Sequence, residues 1–208
     1  MKLIDLSHKI EENMPVYPGD SKTKLQQVKY LNVDKYNNHT LEINMHSGTH
    51  IDSPMHLTDS KNYMSDLPLE SFIADGCIFD VRNQSVIKFE TEYEKLIKEN
   101  SILLLYTGYD KYYGTKKYYE NHPCVDMELC KLLIKKNIKM LGMDTPSPDR
   151  YPFEIHKLLF KNNIYILENL TNLDQLLHAE KFEVTALPLK IKADSSITRA
   201  VARIIERV

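Results

Sequence analysis

The second half of the chain repeats one pattern, in which a short amphipathic stretch is followed by a short apolar run. Asp126 has the side chain of a helix N-cap, and Pro152 is a residue that the first turn of a helix accepts. Apolar runs of this length between helices are typical of buried strands in a sheet that helices cover. The sequence therefore predicts a mixed α/β fold. The expected helices are 91–98, 126–136 and 152–161, and the apolar runs that follow them are 102–106, 138–143 and 164–167.

The first third and the C-terminal stretch predict strands and long loops. Residues 40–46 alternate between apolar and polar side chains, as a half-buried strand does, and residues 24–33 are expected to pair with them across a polar turn at 34–38. Residues 184–189 and 197–208 fit either a strand or a helix, and we favour strands there.

Composition limits the classes of partner. The 208 residues carry 27 Lys and Arg against 29 Asp and Glu, which gives a formal net charge of −2. We therefore expect no nucleic-acid partner and no membrane partner, because neither finds a basic surface. No repeat and no Gly/Ser linker divides the chain, so we expect a single domain spanning residues 1–208.

The N-terminal residues and the cysteines predict a cytoplasmic protein. Asp5 and His8 interrupt any apolar segment of a signal peptide, and the longest apolar run, 102–106, is too short to cross a membrane. The cysteines are odd in number and lack CxxC spacing, which is typical of reduced thiols. They are Cys77, Cys124 and Cys130.

Three of the eight histidines lie within residues 46–56, and they are His46, His50 and His56. Asp52 follows His50 by two positions, so on an extended backbone the two side chains point the same way. Gly48 permits a bend that brings His46 beside them, and Pro54 prevents a continuous helix. Imidazole and carboxylate groups at this density are typical of a site for zinc or a similar divalent cation.

The alternative interpretation is that the three histidines are separate residues around a turn. For any one of these histidines taken alone, that interpretation would be the better one. Structural zinc sites usually include cysteine, and none lies near this cluster, so an open catalytic site is indicated. His56 lies four residues after Asp52 in the chain and is a candidate general acid and base beside metal-bound water. A cation can bring the pKa of such a water molecule to about 7.

A second pair of candidate ligands lies downstream. If 153–161 is a helix and 164–168 the strand after it, the two run antiparallel, and His156 in the first turn comes close to Glu168 at the strand end. One nitrogen and one carboxylate would complete a second metal site that Asp52 bridges. The alternative is an exposed helix histidine and a strand-end glutamate in water.

The pattern His46-x-Gly48-Thr49-His50-x-Asp52-x-Pro54-x-His56 resembles the HxGTHxDxPxH signature of the metal-dependent cyclase family, whose best-known members are the bacterial kynurenine formamidases (arylformamidases). The resemblance extends over most of the chain. A C-terminal block departs from it, because residues 193–198 stand where the family has a Gly-Ser-Pro-type turn. We expect this departure to touch no ligand.

The resemblance implies a site and a fold. Its two metal sets would be His46, His50 and Asp52 for one ion, and Asp52, His156 and Glu168 for the other. His56 would donate and accept the proton, and Tyr17, where kynurenine formamidases typically have Trp, would contact the substrate. The implied fold is a mixed β/α domain of the swivelling β/β/α type that assembles as a homodimer or higher oligomer. Zinc is favoured by the imidazole content, and manganese fits nearly as well.

The implied function is a metal-dependent hydrolase that cleaves an amide-type C–N bond of a small molecule. The expected reaction converts N-formylkynurenine to kynurenine and formate, by metal-bound hydroxide with His56 as acid and base. Hydrolysis of isatin or a lactone, or a cyclase reaction at the same site, is one alternative. A catalytically silent metal-binding oligomeric protein is the other.

Two further features receive no catalytic role. Asp144, where a strand is expected to end, is interpreted as a residue that caps a turn. The tyrosines between Tyr106 and Tyr119 are interpreted as surface or interface side chains rather than as an aryl pocket.

Overall fold

The computed structural model describes residues 1–205, and its elements confirm the predicted α/β class. The strands are β1 (Lys2–Asp5), β2 (Lys24–Lys29), β3 (Asn38–Glu42), β4 (His50–Asp52), β5 (Ile73–Asp80), β6 (Val86–Ile87), β7 (Ile102–Tyr106), β8 (Cys124–Val125), β9 (Met140–Met143), β10 (Tyr165–Glu168), β11 (Phe182–Thr185), β12 (Ser195–Ile197) and β13 (Val201–Ile204). The α-helices are α1 (Leu31–Asp34), α2 (Tyr93–Leu96), α3 (Lys116–Glu120), α4 (Met127–Lys135) and α5 (Glu154–Lys161).

A nine-stranded mixed sheet organises these elements, with the strand order β1-β13-β11-β5-β7-β9-β10-β4-β12. The four central strands β5, β7, β9 and β10 are parallel, and antiparallel strands flank them on both sides. Parallel neighbours need crossover connections, which the helices between them supply. The three apolar runs of the second half therefore became β7, β9 and β10, as predicted.

The central strand β7 is buried on both faces, which explains why its sequence is apolar without alternation. Leu103 and Leu105 face a core that includes residues of α4 and α5, whereas Ile102 and Leu104 face a second core on the other side of the sheet. The sheet is thus held between two hydrophobic layers.

The two longest helices, α4 and α5, begin where a carboxylate accepts hydrogen bonds from the N–H groups of the first turn. The Asp126 side chain accepts a hydrogen bond of 2.7 Å from the Leu129 N–H, so the predicted N-cap of α4 is confirmed. Helix α5 begins at Glu154, two residues after the predicted start. Asp149 Oδ2 accepts from the Ile155 N–H at 2.7 Å, so a carboxylate upstream of Pro152 determines where the helix begins.

The predicted half-buried strand at 40–46 is wrong. Strand β3 ends at Glu42, and all five of its residues are exposed, because β3 pairs only with β2 in a two-stranded ribbon outside the main sheet. Its predicted pairing with residues 24–33 is confirmed. The C-terminal strands are confirmed as β11, β12 and β13, whereas residues 206–208 lie outside the described residues. Across residues 1–205, no helix has the length and apolar character that crossing a membrane requires.

Candidate active site

Strand β4 carries two of the predicted ligands and lies between β10 and β12. In this register Glu168 of β10 stands opposite His50, and Ser195 of β12 stands opposite Asp52. Sheet pairing therefore brings Glu168 to one side of β4 and Asp194, the residue before β12, to the other.

The five predicted ligands converge around Asp52. Asp52 Oδ1 lies 2.9 Å from His46 Nδ1 and 3.4 Å from His50 Nε2. Glu168 Oε2 lies 3.3 Å from His50 Nε2, and Glu168 Oε1 lies 3.3 Å from His156 Nε2. The predicted approach of the first turn of α5 to the end of β10 is thus observed.

Two groups of donor atoms in residues 1–205 are close enough to hold an ion each. The first is His46, Asp52 and His56, and the second is His50, Asp52 and Glu168, with donor atoms within 4.8 Å of one another in each group. Asp52 belongs to both groups, as a bridging carboxylate would. The partition differs from the expected sets, because His50 groups with Glu168 rather than with His46, and because His56 lies among the donors.

Unpaired atoms in the cluster test whether its residues fit a cation. His50 Nε2, Asp52 Oδ1 and Glu168 Oε1 are buried. Each lies 2.9–3.3 Å from a nitrogen or an oxygen of a neighbouring ligand candidate, but none of them forms a hydrogen bond of good geometry within the described part of the chain. A buried polar atom without a partner is costly, and a native structure usually supplies one. One nitrogen and two carboxylate oxygens close together form a donor set that zinc or a similar cation accepts. The residues present therefore fit a divalent cation.

The carboxylates in and around the cluster also favour positive charge on its histidines. Burial disfavours the imidazolium form of His46, but Asp52 and Asp194 outweigh burial and raise its pKa to about 11. Burial is overcome in the same way at His156, where Asp149 contributes to raising the pKa to about 9. Protons and a metal cation would compete for this environment.

Two of the histidines are oriented through the ring nitrogen that faces away from the cluster. His50 Nδ1 lies 2.8 Å from the Gly48 carbonyl oxygen, to which it donates, so Nε2 keeps its lone pair for a ligand. His156 Nδ1 forms a hydrogen bond with Asp149 Oδ1 and turns Nε2 towards Glu168. Metal-binding histidines are commonly held in this way.

Asp194 is a site residue that the sequence analysis missed. Its Oδ2 lies 3.0 Å from His46 Nε2 and 3.0 Å from His56 Nδ1. The expectation that block 193–198 touches no ligand is therefore wrong. The available signal was an acidic residue in the block that departs from the family pattern, but its approach to the cluster depends on the pairing of Ser195 with Asp52.

Asp149 was missed as well, although it also orients a predicted ligand. It binds the His156 ring and the first N–H groups of α5 together. An acidic residue shortly before a predicted helix is a usual capping signal, so this position offered a local sign that an N-terminal partner was present.

A cavity of about 630 Å³ adjoins the cluster, and His56 lies in its wall. Tyr17 also lines the cavity and meets Tyr119 edge to face, with the ring centroids 5.6 Å apart. The interpretation of the tyrosine run as surface side chains is wrong for Tyr113 and Tyr119, which line the cavity. Tyr118 is buried and donates to Asn169 Oδ1 at 2.7 Å.

Asp144 takes no part in the cluster. Its carboxylate accepts hydrogen bonds from the Thr107 N–H at 2.9 Å, the Thr107 hydroxyl at 2.6 Å and the Gly108 N–H at 2.7 Å. Burial raises the pKa of Asp144 to about 6 in spite of these donors. Asp144 caps the turn after β7, in agreement with the turn interpretation.

Comparison with known proteins groups the chain with one set of relatives. A family model described as a putative cyclase matches residues 4–150. Kynurenine formamidase from Bacillus cereus is 32% identical, and the alignment covers 96% of each chain. The kynurenine formamidase of Geobacillus thermodenitrificans is 30% identical, again over 96% of each chain.

Several solved structures share the fold, among them the two that follow. Isatin hydrolase A from Labrenzia aggregata, bound to benzyl benzoate, superposes with a TM-score of 0.86 at 23% identity, covering 99% of this chain and 94% of that one. A potential metal-dependent hydrolase with cyclase activity gives a TM-score of 0.78 at 22% identity and covers 99% of both chains.

Proposed function

The chain belongs to the cyclase family of metal-dependent hydrolases and is an amide-hydrolysing enzyme, and we propose that it converts N-formylkynurenine to kynurenine and formate. The observation that carries the proposal is the buried cluster in which one carboxylate, Asp52, is shared by two groups of donor atoms beside an aromatic cavity.

We propose that the enzyme works with two divalent cations. One would be held by His46, His50 and Asp52, and the other by Asp52, His156 and Glu168. The unpaired buried atoms of His50, Asp52 and Glu168 support this assignment. Zinc is the first candidate and manganese the second, since three imidazoles and two carboxylates suit both. When bound, the cations lower the pKa of a water molecule and polarise the substrate carbonyl.

His56 is proposed to carry the proton. Its Nδ1 is 3.0 Å from Asp194 Oδ2, so the Nδ1–H donates to the carboxylate and Nε2 keeps its lone pair. A carboxylate that holds an imidazole in one tautomer prepares the other nitrogen for general base catalysis. His56 would take a proton from the attacking water as the oxygen bonds to the formyl carbon. It would return that proton to the aniline nitrogen as the C–N bond breaks.

Tyr17 is proposed to contact the aryl ring of the substrate. It lines the cavity, and its edge-to-face contact with Tyr119 places two aromatic side chains together. Aromatic rings of this kind pack well against an aryl group.

A substrate panel on the metal-loaded protein tests the function. We expect formate and kynurenine to be released in equal amounts from N-formylkynurenine, and we expect a chelator to abolish the activity. His56→Ala should retain its metal content and lose about 10²- to 10⁴-fold in kcat.

The second candidate function is isatin hydrolysis, which the fold of isatin hydrolase A supports. Turnover of isatin or of a lactone in place of the formamide would favour it. A protein that holds metal and turns over no member of the panel would be the silent binding protein.

We also propose a single domain over residues 1–208, which works as a cytoplasmic homodimer or tetramer. The pairing of β1 with β13 supports the single domain, and the free thiols of the three cysteines support the compartment. Apolar side chains exposed on the β2–β3 ribbon and on the connection between its strands support self-association, and they are Val28, Tyr30, Leu31, Val33, Tyr36 and Leu41. Light scattering should give the mass of two or four chains, and a single-chain mass would contradict the assembly.

A further inference from the structure

Arg150 is a cation without an anionic partner in the wall of the cavity. Three other arginines of the described residues each pair with a carboxylate, in the pairs Arg82–Asp80, Arg199–Asp5 and Arg203–Glu183. Arg150 forms no such pair within residues 1–205, and its Nη2 donates to the main-chain carbonyl of His122. The described residues that line the cavity include no other Lys or Arg.

The remaining donors of Arg150 are suited to one kind of group. A guanidinium carries five N–H donors in a planar fork that matches a carboxylate at two points. Within residues 1–205, a single hydrogen bond to a carbonyl anchors the side chain, and most of these donors have no protein partner there. The fork is therefore free to bind an anionic group that enters the cavity.

Asp20 supplies the opposite charge to the same cavity. It lines the wall, and its carboxylate forms no hydrogen bond or ion pair with a residue in the described range. Its charge acts on Tyr119, because burial and then Asp20 raise the pKa of that phenol to about 12. Glu120 also lines the cavity, but Lys116 Nζ lies 3.7 Å from its carboxylate.

We propose that Arg150 binds the carboxylate, and Asp20 the ammonium, of an α-amino acid group on the substrate. The proposal rests on the proposed formamidase function and narrows it to formanilides that carry a zwitterionic amino acid. N-formylkynurenine has both parts, with the formamide on its ring and the amino acid at the end of the neighbouring acyl chain. Two unpaired opposite charges in one cavity complement such a group, and charge-assisted bidentate hydrogen bonds are the stronger kind.

Kinetics with three formamides test the proposal. N-formylkynurenine carries both charges, its deaminated analogue 4-(2-formamidophenyl)-4-oxobutanoate carries the carboxylate alone, and 2′-formamidoacetophenone carries neither. Arg150→Gln should lower kcat/KM about 10- to 100-fold for the two carboxylates and leave the neutral compound within about 2-fold. Asp20→Asn should lower kcat/KM about 3- to 10-fold for N-formylkynurenine alone.

A matched control separates binding from folding. Arg82→Gln makes the same change at an arginine that pairs with Asp80 and does not line the cavity, and it should alter none of the three reactions. Arg150→Lys keeps the charge without the fork and should recover part of the selectivity. If Arg150→Gln slows all three substrates equally, Arg150 only ties its loop to His122 and the proposal is overturned. The proposal is also overturned if Arg150→Gln leaves kcat/KM unchanged for all three substrates.

A binding measurement tests the role of Arg150 even if the proposed formamidase function is wrong. If the metal-loaded wild type cleaves none of the formamides, the formamidase proposal is wrong, and calorimetry with kynurenine and with 2-aminoacetophenone still tests Arg150. We expect the wild type to bind kynurenine more tightly, and we expect Arg150→Gln to lose that preference. Equal binding of the two compounds to the wild type would overturn the inference.

Discussion

The candidate metal-binding cluster and the outer wall of the same cavity are built in opposite ways. In the cluster, His50, Asp52 and Glu168 are at most 5% exposed, and neighbouring strands fix their positions. In the wall, Tyr17 is 46% exposed, and the Arg150 side chain has a single hydrogen bond to the part of the chain that the structure describes. Under the proposed function, the reaction and the choice of substrate would depend on separate sets of residues, so we expect that a substitution can change one without the other.

The largest effect should come from the centre of the cluster. Asp52→Asn removes the charge that both donor groups share, so we expect the protein to lose both ions and about 10³-fold or more in kcat/KM. Metal analysis by mass spectrometry and steady-state kinetics measure the two losses.

Asp59→Asn is a suitable control, because the same change is made at an exposed carboxylate seven positions along the chain. If Asp52→Asn still retained two ions, Asp52 would not be the bridge between the sites.

An intermediate effect is expected at Asp194, which contacts the cluster without lining the cavity. Asp194→Asn should lower kcat about 10- to 100-fold, because groups that orient metal ligands and catalytic histidines contribute on that scale. KM should stay nearly constant, since Asp194 does not line the cavity. The measurement is the separate change in kcat and KM, together with the metal content.

Asp194→Glu, which keeps the carboxylate, should recover part of the loss. A change confined to KM would show that Asp194 acts on substrate binding, and the contrast between cluster and wall would fail at that residue.

The smallest effect should come from the wall. Tyr17→Ala removes the ring that is proposed to pack on the aryl group of the substrate. An aromatic contact of this kind contributes about 0.5–1.5 kcal/mol, so we expect a few-fold rise in KM with kcat preserved. Tyr17→Phe should be close to wild type. Tyr112→Ala, at a tyrosine that does not line the cavity, is the control. A large loss of kcat in Tyr17→Ala would place Tyr17 in the chemistry.

The sequence predicted the cluster better than the wall for a physical reason. His46, His50 and Asp52 belong to one short motif, and the approach of His156 to Glu168 follows from a helix that runs antiparallel to the next strand. Local geometry therefore determines each half of the cluster, and the pairing of β4 with β10 brings the two halves together.

Asp194 and Arg150 depend on contacts that no local pattern encodes. Asp194 reaches His46 because β12 pairs with β4 across more than a hundred residues, and Arg150 is held by the carbonyl of His122. The β2–β3 ribbon shows the same limit. Alternation predicted its strand pairing, but periodicity does not say what covers the apolar face.

The position of β4 would give a bound cation a mechanical role as well. β4 has three residues, and its neighbours on the two sides are β10 and the short strand β12. An ion bound by residues of β4, β10 and α5 at once would hold these three elements together at this end of the sheet. Its contribution to the free energy of unfolding grows by about 1.4 kcal/mol for each tenfold rise in free metal above Kd. Stripping the metal should therefore speed amide hydrogen exchange in β4 while β7, deep between two cores, stays protected.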